Sequence, residues 1–253
     1  MEDYLHLPAP DLIWYAAVLF AASYIRGFSG IGFTAVFLTG LAFNLPVVEL
    51  VPLSIALEVA ASSGQARGIF RDVKWRELGI LLATGLVCTP IGIYFLGYFN
   101  DLTLRILALG LIFLSSLTLV SSHMRPLRLS FVSYAIAGSA IGIVNGAVAL
   151  SGLVLALFFS LSDERAAQMR ATMIAYLFAA DLWTVTLLAG SGYYDSVTLT
   201  RAALSLPILA LGVWLGSRHF ASARPASYRK AVLWLLLSFS ATGLALIALI
   251  ELA

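Results

Sequence analysis

The chain has 253 residues, of which 61% are hydrophobic and 11% charged, with a mean hydropathy of +0.97. Soluble domains carry about 25% charged residues, so an ordinary water-soluble fold is excluded and a polytopic membrane protein is expected. The single cysteine, Cys88, excludes an internal disulfide framework or cysteine metal site, and the net charge of +2 says less about partners than its distribution does.

The N-terminus, with Glu2, Asp3 and Asp11, lacks the basic region of a cleavable signal peptide. An apolar run then extends from Leu12 to Phe43 with Arg26 as its one charge. As a straight helix it would be about 48 Å long, against a hydrocarbon core of roughly 30 Å. The stretch Arg26-Gly27-Phe28-Ser29-Gly30-Ile31-Gly32 at its midpoint predicts a break. Broken backbone at membrane depth must line a cavity or be buried in protein, and it frees N–H groups that can hold an anion.

Ten apolar segments are predicted, at 12–26, 30–44, 47–66, 78–98, 102–121, 131–144, 147–161, 168–189, 197–217 and 230–250. The first and second, and the sixth and seventh, reach only about 22 Å each and form glycine-broken pairs. The second break is expected at Ile141-Gly142-Ile143-Val144-Asn145-Gly146. Each pair reads as a re-entrant hairpin or as two short spans, followed by three spanning helices. Pro46 suits a helix start, and Ser162 with Asp163 and Glu164 reads as an N-cap.

The halves 1–122 and 123–253 read as two repeats within one integrated membrane domain. An offset of 124 pairs Gly92 with Gly216 and Arg105 with Arg229; an offset of 116 pairs Gly30 with Gly146. Arg67, Arg71, Lys74 and Arg76 cluster in one loop, Arg125 and Arg128 in another, Arg165 in a third, and Arg218, Arg224, Arg229 and Lys230 in a fourth. These loops are expected in the cytoplasm, and both termini outside. Equivalent loops then fall on opposite sides, which predicts an inverted topology with the two breaks meeting near the midplane. Trp14, Tyr15, Trp75, Tyr98, Tyr193 and Tyr194 are expected at the interfaces.

The two glycine-rich breaks, the stretch Gly68-Ile69-Phe70-Arg71-Asp72-Val73-Lys74-Trp75, and the Asp101–Arg105 turn with a leucine-rich last helix resemble the TauE/SafE sulfite-exporter family of bacterial membrane transporters. The resemblance covers nearly the whole chain. It departs after the first break, where the family often carries a Thr-Ser pair and this chain has Ser54, with Thr172 and Met173 in the second half. The resemblance implies transport of sulfite, sulfoacetate or a related anion across a bacterial inner membrane, driven by a proton or the membrane potential, without a cofactor.

Charges inside apolar segments cost at least about 2.5–3.5 kcal/mol at a helix centre and are functional candidates by default. Arg26 and Arg170 are candidates for binding an anion, because a guanidinium meets a sulfonate or carboxylate with two hydrogen bonds. Arg26 could instead satisfy carbonyls freed by the break, and Arg170 could snorkel to the interface. Glu58 and Asp181 are candidate coupling carboxylates, and Glu58 could equally be the fixed counter-charge of Arg26. Ser29, Gly30, Asn145 and Gly146 sit at the breaks as candidate anion-binding positions; Ser29 and Asn145 also read as caps. Ser62, Ser63 and Gln65 read as backbone-bonding or packing groups. The glycines 138, 142 and 146, 212 and 216, and 64 and 68 read as close-packing faces.

Gly27-Phe28-Ser29-Gly30-Ile31 fails the nucleophile-elbow pattern, Gly30-Ile31-Gly32 lacks the later glycine of a dinucleotide loop, and no P-loop is present. His6, His123 and His219 are too scattered for a metal cluster. No nucleic-acid partner is expected, since the basic loops read as topology signals. The expected function is alternating-access transport of a small sulfur-containing anion, most simply export. The alternatives are an anion channel of the same fold, a transporter of a non-sulfur carboxylate, and a membrane enzyme or receptor subunit.

Overall fold

A computed structural model describes residues 9–65, 71–121, 129–162, 165–220 and 225–252. His6, Arg67, Gly68, His123, Arg125, Arg128, Asp163, Glu164 and Arg224, singled out above, lie outside these. The described residues form ten helices in the expected order: α1 (Ala9–Ser29), α2 (Phe33–Leu41), α3 (Val47–Gln65), α4 (Trp75–Tyr98), α5 (Asp101–Ser121), α6 (Phe131–Val148), α7 (Ser151–Ser160), α8 (Ala166–Gly190), α9 (Ser196–Phe220) and α10 (Pro225–Leu252). Among the described residues seven helices, α1, α3, α4, α5, α6, α8 and α9, are long and apolar enough to cross a membrane. The protein is an all-helical integral membrane protein.

The broken pairs differ from expectation. Each is one full-length helix followed by a short one, not two equal pieces. α1 has 21 residues and runs through Arg26 and Gly27 to Ser29, whereas α2 has 9 and reaches about 13 Å. α6 likewise continues through Ile141–Gly146 to Val148, and the chain turns at Ala149 and Leu150, where Ala149 has φ 56°. The glycines of the sixth segment do not break it, because they are used for packing.

That packing sets the architecture. α4 lies along α6 and α9 along α1, so each long helix of a broken pair packs on a helix from the other half of the chain. A Cβ on Gly92 would overlap Ile143 O and come within 2.9 Å of Gly146 Cα. A Cβ on Gly216 would overlap Tyr24 O and come within 3.1 Å of Gly27 Cα. Backbones this close leave no room for a side chain, as in small-residue seams between membrane helices. Gly138, Gly142 and Gly212 lie in the same seams, while Gly64 faces open space rather than a neighbouring helix. The matched contacts take Gly27 to Gly146, an offset of 119 and not the expected 116. The same offset takes Val47 to Ala166, the starts of α3 and α8. Ser162 is not an N-cap: its hydroxyl donates to Phe159 O, and Arg165 precedes α8 without a side-chain cap.

α3 packs on α8, and α2 is buried at every residue but Gly40. α4, which carries Trp75, Tyr94 and Tyr98 on its exposed face, is the least covered of the spanning helices. Tyr15 departs from the expected interfacial belt. It is buried, and its hydroxyl lies 2.7 Å from Ser205 Oγ.

Contacts gather the helix ends at two poles. At one, Gln65 and Ser217 reach the end of α1, and Lys74 N donates to Thr172 Oγ1. At the other, Val47 N donates to Asp101 Oδ1, and Arg201 pairs with Glu49 at 2.6 Å. At this second pole Asp195 caps α9. The Thr198 backbone N–H, 2.7 Å from Asp195 Oδ1, holds that carboxyl below the usual carboxylate range. Its contribution is present above the unfolded-state pKa and is lost as pH falls through the folded-state value. Asp195→Ala should therefore lower the melting temperature at neutral pH, with the gap from the parent closing in acid; a gap independent of pH would refute the charge contribution.

Candidate functional site

The site is built where the two breaks abut. Ile31 lies between α1 and α2, and its Cβ is 3.8 Å from the position a Cβ on Gly152 would take at the start of α7. Gly30 and Gly32 have φ of 81° and 91°, a left-handed backbone that glycine adopts without strain. Gly32 precedes α2 and Leu150 precedes α7, and neither supplies a side-chain cap. Both short helices thus present uncapped N–H groups and the positive end of their dipoles near the junction.

The carbonyls at the end of α1 are satisfied by others than Arg26. Gln65 Nε2 reaches Arg26 O and Gly27 O at 3.3 Å, Ser217 Oγ reaches Gly27 O at 3.2 Å, and Gly30 N closes onto Arg26 O at 2.8 Å. Ser29 Oγ lies 2.8 Å from Ile25 O and 2.6 Å from Ile31 O, so it stitches the turn rather than capping a helix start.

Arg26 is fully buried. Its Nε lies 2.7 Å from Glu58 Oε2 and its Nη2 donates to Ser62 Oγ at 2.7 Å, while Nη1 has no hydrogen-bond partner among the described residues. Thr34 on α2 donates to Glu58 Oε1 at 3.3 Å. Glu58 is therefore the counter-charge of Arg26, as one of the two sequence alternatives had it. Arg170 comes from α8 to the same break: its Nε lies 3.3 Å from the Cβ position of Gly30. Arg170 of α8 thus lies against the turn that follows Arg26 in the chain.

Asn145 stands in the last turn of α6, not at a break as expected. Its Nδ2 donates to Asp181 Oδ1 and to Thr184 Oγ1, both at 3.0 Å and all buried. Gly146 lies in the seam against Thr89 O and Ile93 N of α4 rather than facing the junction. Asn145→Ala removes the donor to two buried oxygens. It is expected to cost roughly 1–3 kcal/mol, read from unfolding in detergent; an unchanged midpoint would show that Asp181 and Thr184 find other partners.

Several members of this network carry little signal in the sequence. Ser62 and Gln65 read as packing groups, although each bonds across helices. Thr34, Thr184 and Ser217 carry no signal beyond being hydroxyls. Arg201 reads as an outer loop end but is buried against Glu49, which contributes to the second pole and not to the junction. An open groove of about 510 Å³ between α4 and α8, lined by Pro90, Tyr94, Tyr98, Leu187 and Tyr193, lies at that second pole, away from Arg170.

The chain is 28% identical over 196 residues to the probable inner membrane transporter protein TsaS of Comamonas testosteroni, covering 77% of this chain and 81% of that protein. It is 23% identical over 251 residues to the probable sulfite/organosulfonate exporter TauE of Cupriavidus necator, covering 96% of each. No solved structure matches. The model of the family described as sulfite exporter TauE/SafE matches residues 15–243, so the chain belongs to that family of membrane transporters.

Proposed function

We propose that this protein is a secondary transporter, most simply an exporter, of a small sulfur-containing anion such as sulfite or sulfoacetate across a bacterial inner membrane. The observation that carries this is the junction of the two breaks, where Arg170 of α8 lies against Gly30 with Arg26 behind it. The uncapped starts of α2 and α7 add fixed positive dipole to the same place. Arg170, whose Nε reaches the Gly30 turn, and Arg26 Nη1, beside the contacts Arg26 makes to Glu58 and Ser62, are the anion ligands of this reading. Ser29 and Gly30 shape the turn; Asn145 and Gly146 act from behind the junction.

The chain reads as two inverted repeats, 1–122 and 123–253, with both termini outside. The reciprocal packing of α4 on α6 and α9 on α1 supports the repeats, as does the shared offset of 119, and the placement of the basic loops supports the termini. Alternating access would then exchange the packing of one repeat for that of the other.

A thermal-shift panel on the purified protein with sulfite, sulfoacetate, taurine, a dicarboxylate, sulfate and chloride tests the anion site. Sulfite or a sulfonate at a hundredfold over its Kd should stabilise by about 2.7 kcal/mol, and Arg170→Ala should abolish the response. A response to none of the sulfur anions, or normal transport by both Arg26→Ala and Arg170→Ala, would reject the anion clamp. Accumulation of the anion against its gradient in proteoliposomes separates a transporter from a channel.

A further inference from the structure

The offset of 119 that relates the helix seams also relates two buried polar clusters: it takes Arg26 to Asn145 and Ser62 to Asp181. In the first cluster Arg26 donates to Ser62 and its charge is met by Glu58. In the second cluster the place of the guanidinium is taken by a neutral amide. Asn145 spends both Nδ2 hydrogens, on Asp181 Oδ1 and Thr184 Oγ1. Among the described residues two acceptors are left without a donor, Asn145 Oδ1 and Asp181 Oδ2. Thr184 cannot supply one, since its hydroxyl donates to Ala180 O at 2.8 Å.

Asp181 is 2% exposed and, among the described residues, makes no ion pair. The titratable and charged groups within electrostatic reach are Glu58 of α3, Arg26 of α1, Tyr194 of the α8–α9 turn and Tyr176 on its own helix. Glu58 repels a second carboxylate, and Arg26 is held at Glu58. A bare carboxylate in such a place is costly, and a buried carboxyl without a counter-ion neutralises instead. A proton on Oδ2 removes the charge and turns that oxygen into a donor, for which Asn145 Oδ1 is the unpaired acceptor in the same cluster. A hard metal cation wants about six oxygens, and this cluster offers two unpaired ones.

Resting on the transporter reading, we infer that Asp181, and not Glu58, is the proton-carrying group that couples this protein to a proton gradient. Asp181 holds its proton in the present conformation, with the O–H bond at Oδ2 formed from and broken to water at whichever pole is open. Arg26–Glu58 is a standing ion pair that keeps the first half closed to protons. The chain's two halves thus have unequal jobs, one electrostatic and one protonic.

Infrared spectroscopy of the purified protein at neutral pH tests this without any substrate. The expected result is a carbonyl band of a protonated carboxylic acid that shifts in heavy water, shifts on labelling with carboxyl-13C aspartate, and is missing in Asp181→Asn. The asparagine keeps the shape of the protonated acid, and the labelled parent alone gives the assignment if that variant does not fold. Absence of the band in the parent, its survival in Asp181→Asn, or its failure to shift with labelled aspartate would each overturn the proposal. So would a sodium-dependent rise in melting temperature that Asp181→Asn abolishes. In proteoliposomes, an imposed pH gradient should accelerate sulfite efflux by the parent but not by Asp181→Asn. If sulfite is not bound at all, the infrared band still decides the proton site, so failure of the substrate reading is distinguishable from failure of this one.

Discussion

Glu58→Gln is expected to destabilise the protein by about 3–5 kcal/mol. The carboxylate it removes lies 2.7 Å from the Nε of an arginine with no exposed surface, so the guanidinium would be left charged and buried with neutral acceptors, Ser62 Oγ and the introduced amide oxygen, and no counter-charge. Arg26→Met should cost a similar amount by stranding Glu58. The pair of changes Arg26→Met and Glu58→Leu should recover most of the loss, because desolvating two charges consumes much of what their attraction returns. A double-mutant cycle from denaturation in mixed micelles, with Arg26→Met and Glu58→Leu as its single variants, reads the coupling directly. Single variants within about 1 kcal/mol of the parent would mean that water reaches Arg26, and that the junction is not the dry, charge-paired site its geometry implies.

The second large effect is steric. In Gly92→Val the first added carbon already overlaps Ile143 O, with Ala147 N at 2.8 Å, and every one of these neighbours is backbone. No side chain can swing aside, so α4 must move off α6. The cost should stand at or above the top of the roughly 1–3 kcal/mol usual for overpacking. Gly216→Val meets Tyr24 O and Phe28 N in the same arrangement and should behave alike. Expression and melting temperature of both variants check this; tolerance of valine at either position would show that its seam is looser than the backbone contacts imply. Gly64→Ala, facing open space, serves as the control.

The ten helices and their order are legible because each is a run of apolar residues bounded by charge or turn residues, the strongest signal a membrane sequence carries. The position of the breaks is less so. Gly27 looks like a helix breaker, yet it lies inside α1, where its missing side chain admits α9. Ile141–Gly146 misleads in the same way, and the actual turn at Ala149 has no glycine to announce it. Glycine serves both as punctuation and as a packing surface, and residue order alone does not separate the two uses.

At the site, the pairing of Arg26 with Glu58 can be anticipated, since opposite charges in apolar surroundings must find each other. Nothing comparable pairs Asn145 with Asp181, because an amide exerts no such demand. Ser62, Gln65 and Ser217 are illegible for a simpler reason: a serine in a membrane helix usually bonds within its own helix, a glutamine at a helix end can as well face water, and only the tertiary arrangement shows which ones cross.

The reciprocal seams also bear on how the chain is made. α1 lies against α9, whose contact residue Gly216 emerges from the ribosome long after Tyr24 and Gly27 have entered the bilayer. α4 waits for α6 in the same way. The early helices must therefore remain in the lipid, or with an insertase, with their glycine faces open until late partners arrive. Contacts of such long sequence separation form slowly. A chain stalled after α5 would expose Gly85 and Gly92 of α4 and Gly27 of α1 to whatever other small-residue helix is at hand. Quality control of this protein is thus expected to act on incomplete chains, and biogenesis is one long dependency in which the last spanning helices close what the first ones began.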